Sequence, residues 1–257
     1  LEKLSLARNA LIELEDDSFE SAKKLNTLDL SFNFLRNITS RTFKGLVGLK
    51  TFNLKSNEIE SIHPNAFSSS TELKSLYLEI NKISFIFAQS FQNLSQLIEL
   101  TLDNNKIEHI EPGSFNNQKD LTRVEISNNN LSLLGLVHTI NLRKITSFIA
   151  FNNQIELMDD FIFSQATKLV EINMVSNRIK YISNQTFRGL ILLKNLALGK
   201  NEISHIEPNS FVDLKILTQL DLSTNLIKQI NANTLAGTSK IESITLSSNQ
   251  IEFIESG

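Results

Sequence analysis

Cysteine is absent from the 257 residues. A thiol nucleophile is thereby excluded, and the lack fits either residence inside a cell or excision from a larger protein. Neither sign of charge dominates, with 25 Lys and Arg against 28 Asp and Glu for a net charge of −3, and no block of like charges is longer than three residues. That balance leaves no electrostatic footprint for nucleic acid. No apolar stretch approaches the ~18 residues that a membrane helix needs. Glycine numbers only eight, and none of it forms a phosphate-cradling loop. The four histidines, His63, His109, His138 and His205, are scattered. Metal binding needs several ligands converging on one point, so no metal site, catalytic group or cofactor is expected.

What the chain does have is one phrase repeated. Residues 97–107 read LIELTLDNNKI, or L-x-x-L-x-L-x-x-N-x-I. The asparagine of that phrase recurs every 24 residues, at Asn9, Asn33, Asn57, Asn81, Asn105, Asn129, Asn153, Asn177, Asn201, Asn225 and Asn249. Self-similarity at such a period marks a repeat array and overrides the two-domain expectation from length. With the asparagine as position zero, apolar residues recur at −8, −5, −3, +2 and +5, and an aromatic at +10. The −5 and −3 residues alternate with polar neighbours, which is the period of a strand. Successive strands would stack in parallel about 4.8 Å apart. The ladder asparagines, Asn33 through Asn225 above all, are polar among apolar neighbours. They are expected to be buried and to satisfy backbone groups where the strand turns away, because an amide both donates and accepts.

These residues resemble the leucine-rich repeat family, in its 24-residue "typical" class. Toll-like receptors, chaoptin-like adhesion proteins and small proteoglycans carry that class. The resemblance covers residues 1–257. It implies an α/β solenoid, a leucine-rich repeat horseshoe with a parallel concave sheet of about eleven strands and a convex side of loops and short helices. The expected domain is 1–257 as a single unit, ten full repeats plus a partial one, uncapped and so the middle of a larger protein.

The other half of each repeat has its own grammar. Pro64, Pro112 and Pro208 all fall at +7, where a fixed φ suits the first position of a short helical turn. At +12 stand Gly45, Asn93, Asn117, Asn141, Gly189, Asp213 and Gly237, residue types that tolerate the left-handed conformation. Phe19, Phe43, Phe67, Phe91, Phe115, Phe163, Phe187 and Phe211 at +10 are expected to stack into a spine. One repeat breaks the pattern, with Leu136 and Val137 as extra apolar residues and Thr139 and Ile140 at and after the spine position. In the strand that follows, Phe148 and Ala150 are read as inward, and Ile149 and Phe151 as outward. A slip of one residue would exchange the pairs.

Candidate binding residues lie at −6, −4 and −2, which point away from the core. Most are small and polar, as at Ser5, Thr27, Ser31, Asn53, Asn195 and Ser223. The middle of the array differs, presenting Tyr77, Glu79, Glu99, Asp103, Arg123 and Glu125, then Ile149, Phe151, Glu171, Asn173 and Val175. Clustered exposed apolar residues mark interaction surfaces. The glycosylation sequons are at Asn37, Asn93, Asn130 and Asn184. The resemblance makes an extracellular receptor or adhesion ectodomain the first expectation. It would be non-enzymatic and would bind a protein ligand, of basic character, on its concave face, in innate immunity or cell-cell signalling. A homodimer is a second partner expectation. Membrane attachment would come only through a segment outside this chain. The alternative is an intracellular scaffold for protein–protein interaction.

Overall fold

The computed structural model describes residues 1–134 and 142–255. The irregular residues Leu136, Val137, Thr139 and Ile140, with His138 and Asn141, lie outside the described residues. The chain divides into two compact units, Leu1–Asn130 and Leu131–Gly257.

In the first unit the chain coils as a solenoid, one repeat to a turn. Its strands begin with β1 (Lys3–Ser5), β2 (Thr27–Asp29), β3 (Asn37–Ile38), β4 (Thr51–Asn53) and β5 (Ser61–Ile62). They continue with β6 (Ser75–Tyr77), β7 (Phe85–Ile86), β8 (Glu99–Thr101), β9 (His109–Ile110) and β10 (Arg123–Glu125). The three-residue strands β1, β2, β4, β6, β8 and β10 lie side by side in chain order, all parallel. Each residue faces its equivalent one repeat away, as Leu76 faces Leu100. Leu28, Phe52, Leu76 and Leu100 sit at the strand centres and are fully buried, together with Leu30, Leu54, Leu78 and Leu102. Each such side chain contributes roughly 1.5–3 kcal/mol by leaving water. Opposite the strands, Phe19, Phe43, Phe67, Phe91 and Phe115 form a continuous file with ring centroids 5.9–6.5 Å apart.

The ladder asparagines tie each repeat to the one before. Asn105 Nδ2 donates to Leu102 O and, across the repeat boundary, to Leu78 O, both at 3.0 Å. Its Oδ1 accepts from Ile83 N at 3.0 Å. Asn33, Asn57, Asn81 and Asn129 make the same three bonds. A single side chain thus satisfies the backbone where strand gives way to turn.

The residue before each ladder asparagine is left-handed. In this unit Arg8, Phe32, Ser56, Ile80, Asn104 and Asn128 all have φ between 53° and 58°. That conformation suits Asn and strains a β-branched residue. At position +12, by contrast, Gly45 is left-handed but Asn93 and Asn117 are not. The tolerance read from their residue type goes unused. Ile80 is 46% exposed, so it gains little burial to offset its strain. Ile80→Asn should therefore raise the unfolding free energy by about 1 kcal/mol, read as a higher urea midpoint. An unchanged or lower midpoint would mean that the Ile80 side chain contributes more by packing than the backbone loses.

The short strands reveal a second period. They pair two at a time, β3 with β5 and β7 with β9. The turns after them alternate as well. His63–Ala66 and Glu111–Ser114 close with a hydrogen bond from the fourth residue to the first, and their third residues, Asn65 and Gly113, have φ of 72° and 85°. With Pro64 and Pro112 in second place, these are type II turns rather than the helical turns expected of the prolines. In the intervening repeats a hydroxyl closes the turn, Thr42 Oγ1 accepting from Thr39 N and Ser90 Oγ from Phe87 N. Glu111 Oε2 also reaches back to accept from Ala88 N at 2.7 Å. The structural unit is thus a pair of repeats.

The second unit follows the same plan. Its strands open with β11 (Leu133–Leu134), β12 (Ser147–Ile149), β13 (Leu157–Met158), β14 (Glu171–Asn173) and β15 (Tyr181–Ile182). They go on to β16 (Asn195–Ala197), β17 (His205–Ile206), β18 (Gln219–Asp221), β19 (Gln229–Ile230), β20 (Ser243–Thr245) and β21 (Phe253–Ile254). The longer strands β12, β14, β16, β18 and β20 are parallel and in order, which brings the three-residue strands among the described residues to eleven. Phe148 and Ala150 are buried and Ile149 pairs with Asn173, so β12 keeps its register. Phe163, Phe187 and Phe211 form the aromatic file, 6.0–6.3 Å apart. Asn153, Asn177, Asn201 and Asn225 form the ladder, each accepting from the amide two residues beyond the preceding asparagine's position, as Asn177 accepts from Ile155 N. Pro208 again lies second in a type II turn, with Asn209 at φ 65°. Asp213, at +12, is not left-handed, whereas Gly189 and Gly237 are.

Candidate functional site on the open face of the long strands

Because side chains alternate along a strand, the −6, −4 and −2 positions form the face away from the core. In the first unit that face carries a network that largely satisfies itself. Tyr77 Oη donates to Glu99 Oε2 at 2.8 Å, and burial followed by this carboxylate pushes the phenol pKa up. Glu79 accepts from Lys55 Nζ at 3.2 Å and from the Thr101 hydroxyl. Arg123 pairs with Glu125. Asp103 Oδ1 accepts from Ser127 N at 2.6 Å. The acidic residues that the sequence offers as free charges are thus each held by a neighbour. Ser31, read as exposed, is 3% exposed and belongs to the interior of this face.

Asp103 is the perturbed carboxyl of this face. Burial, with the Glu125 carboxyl beside it, raises its pKa from an ordinary 3.8 to about 6, against the lowering effect of the Ser127 amide. A raised carboxyl pKa means that the folded state holds a proton which the unfolded chain has released. The favourable contribution is complete below the unfolded value of 3.8 and is lost as pH rises through about 6. Asp103→Asn keeps an acceptor for Ser127 N and removes the repulsion from Glu125. The variant should exceed the parent in stability by about 1 kcal/mol at neutral pH, after discounting for solvent on the open side. The difference should close as pH falls toward 4 in paired thermal melts. A constant difference would show that Asp103 ionises normally.

The second unit's face is different in kind. Phe151 and Val175 neighbour one another in the −2 column, with Ile149 beside them. Phe151 is 37% exposed and the other two are half-buried. Glu171 accepts from the Ser147 hydroxyl at 3.2 Å, and Asn173 Oδ1 from Val175 N at 3.2 Å. No Lys or Arg occupies −6, −4 or −2 between Ser147 and Ser247. The sequence pattern places Gly199 among the small residues of this face and gives no special mark to Asp221. An ideal Cβ on Gly199 would lie 2.6 Å from Asp221 Oδ2, so the Asp221 carboxylate leans across the space that glycine leaves. The signal was the exchange of a side chain for hydrogen beside an acid.

The sequon asparagines occupy varied settings. Asn37 is exposed on β3. Asn93 helps to line a polar depression of about 440 Å³ with Gln92, Ser95, Asn117, Lys119 and Asp120. Asn130 donates its amide to Ile107 O at 2.9 Å. Asn184 is tied on both sides, its amide to Glu207 and its Oδ1 to Gln185 Nε2. Among the described residues no group of three or more His, Asp or Glu is placed to hold a metal ion.

The leucine rich repeat family model matches residues 1–59, 23–83, 48–107, 71–131, 95–155 and 191–251. The chain belongs to the leucine-rich repeat family. Among solved structures it is similar to a chain of the TLR13–ssRNA13 complex, with 29% identity and a TM-score of 0.86 over 96% of its length. It is also similar to a chain of the Drosophila Toll–Spatzle complex, at 23% identity and a TM-score of 0.86 over 98% of its length. The leucine-rich repeat domain of APL1B is superposable over 99% of this chain at 20% identity and a TM-score of 0.83. The last two likenesses speak for the fold alone. This chain spans 36% of the TLR13 chain, 36% of the Toll-complex chain and 71% of the APL1B chain. No curated protein matches it.

Proposed function

We propose that this chain is an extracellular protein-recognition module, part of a receptor or adhesion protein, with no catalytic role. It takes a protein ligand on the open strand face of the second unit, in the setting of innate immunity or cell-cell signalling. The observation that carries the reading is the exposed Phe151 set beside Ile149 and Val175 on paired strands. Side chains held on a rigid sheet lose little entropy on binding, and aromatic anchors dominate interface energies. The absence of Lys and Arg from these face positions favours protein over nucleic acid, whose phosphates draw on basic side chains. The likeness to a chain of the TLR13–ssRNA13 complex supports the setting alone, since the partner named there is an RNA.

The test is capture from extracellular fluid by three immobilised baits: the parent chain, Phe151→Ala, and Gln165→Lys as a control. Gln165 is exposed in the turn that carries Phe163. Phe151→Ala should weaken capture of the species retained by the parent by about 2 kcal/mol, a typical hot-spot loss equal to roughly thirtyfold, with its melting curve preserved. Loss with Gln165→Lys and retention with Phe151→Ala would move the ligand to the turn side. A nuclease-sensitive capture would make the ligand a nucleic acid.

A further inference from the structure

The apolar run Phe151–Val175 ends on a negative charge. Strand pairing sets Ile149 beside Asn173, Asn173 beside Ala197, and Ala197 beside Asp221. Phe151, Val175 and Gly199 follow in the neighbouring column, one per strand. Adjacent strands lie about 4.8 Å apart. Gly199 and Ala197 keep the floor low beyond Val175, and the Asp221 carboxylate closes that floor by lying over Gly199. One of its oxygens, Oδ1, accepts from Ser223 N at 2.9 Å, which fixes the group and leaves Oδ2 above the glycine. Among the described residues Asp221 has no ion-pair partner, in contrast to Glu79 and Glu125 in the first unit. The face positions around it supply no cation.

We infer that this face receives a lysine or arginine side chain of the protein ligand. Its aliphatic stem lies on Val175 and Phe151 and its cationic head meets the Asp221 carboxylate above Gly199. Val175 follows β14 and Asp221 ends β18, with β16 between them, but the Asp221 carboxylate leans over Gly199, which follows that middle strand. A four-carbon stem ending in an ammonium therefore need cross only the one strand spacing from Val175 to reach it. Such side chains lay their methylenes on apolar surface and keep the charged end at a polar one. A phosphate or carboxylate ligand would meet only repulsion there. This assignment rests on the second unit's face being the ligand surface. It adds that the recognised group is a cation on an aliphatic stem.

Fragment binding to the whole chain, followed by amide chemical shifts in NMR, tests it. Pentylammonium should shift the amides of Val175, Gly199 and Asp221 in a saturable way. Its neutral counterpart, pentanol, should bind there about fivefold more weakly, the scale of one exposed ion pair near 1 kcal/mol. Asp221→Asn retains the acceptor for Ser223 N and should bring pentylammonium down to the pentanol level. High salt should do the same to the parent, which gives a readout that needs no variant. Equal binding of the two fragments, or shifts confined to other residues, overturns the cation assignment. So does unchanged pentylammonium binding in Asp221→Asn. In each case capture that still depends on Phe151 leaves the protein-binding face standing. Capture independent of Phe151 removes that reading instead, whatever the fragments do.

Discussion

Asn105→Ala lowers the unfolding free energy by about 3 kcal/mol, and Asn105→Asp by a comparable amount for a different reason. The alanine leaves Ile83 N without its acceptor and strips Leu78 O and Leu102 O of a donor, all in the buried interior. Each buried group left unsatisfied costs roughly 1–3 kcal/mol, and the two carbonyls lie on adjacent repeats, so the loss is felt at their interface. Aspartate keeps the acceptor for Ile83 N but replaces a donor with an anion facing two carbonyl oxygens. Its cost should therefore shrink at low pH, when the carboxyl carries a proton, while that of alanine stays constant. Urea titrations at two pH values separate the cases. An alanine variant with the parent's midpoint would mean that water replaces the amide at no cost, and the ladder would not be what holds the repeats in register.

The features that place the site were legible because they depend on one residue type at one spacing. Asn105 and its equivalents mark every turn, and alternation around Leu100 and Leu102 states which side chains face outward. Phe151 could be named on that basis, since a strand has only two faces. The pairing of repeats was equally present and went unread. Glu15, His63, Glu111, Asp159, Glu207 and Glu255 stand 48 residues apart, and the prolines keep the same spacing or its double. Aligning single repeats averages that alternation away.

Other features have no signature in residue type. The left-handed residue before each ladder asparagine is Phe32, Ile80, Lys200 or Thr224 as readily as Asn104. The ladder hydrogen bonds impose that backbone on whatever residue is there, and local preference is overridden. The quieting of Glu79 by Lys55 and of Glu99 by Tyr77 depends on rotamers across neighbouring strands. Sequence spacing places such residues on one face and leaves open which of them meet. Gly199 marks a gap beside Asp221 in the sequence, but that the carboxylate leans into it depends on a rotamer in the same way.

Gly237 and Gly189 occupy the same position two repeats apart, and alanine should distinguish them sharply. Both are left-handed, with φ of 89° and 80°, so each substitution carries the ~1–2 kcal/mol that an L-residue loses there. For Gly189 that is all, since nothing lies within 4 Å of the added Cβ. At Gly237 the Cβ would fall 2.3 Å from Val212 O and 2.7 Å from Val212 Cα, the backbone of the preceding repeat. Backbone cannot rotate aside as a long side chain can, so the repeats would have to separate locally. Overpacking of this kind adds roughly 1–3 kcal/mol, and Gly237→Ala should lose about 2–5 kcal/mol in all. Gly45, whose Cβ would meet Glu20 Cα at 2.5 Å, should behave like Gly237. Thermal melts of the three variants decide it. If Gly189→Ala falls as far as Gly237→Ala, backbone conformation alone sets the cost and the close approach of one repeat to the next contributes nothing.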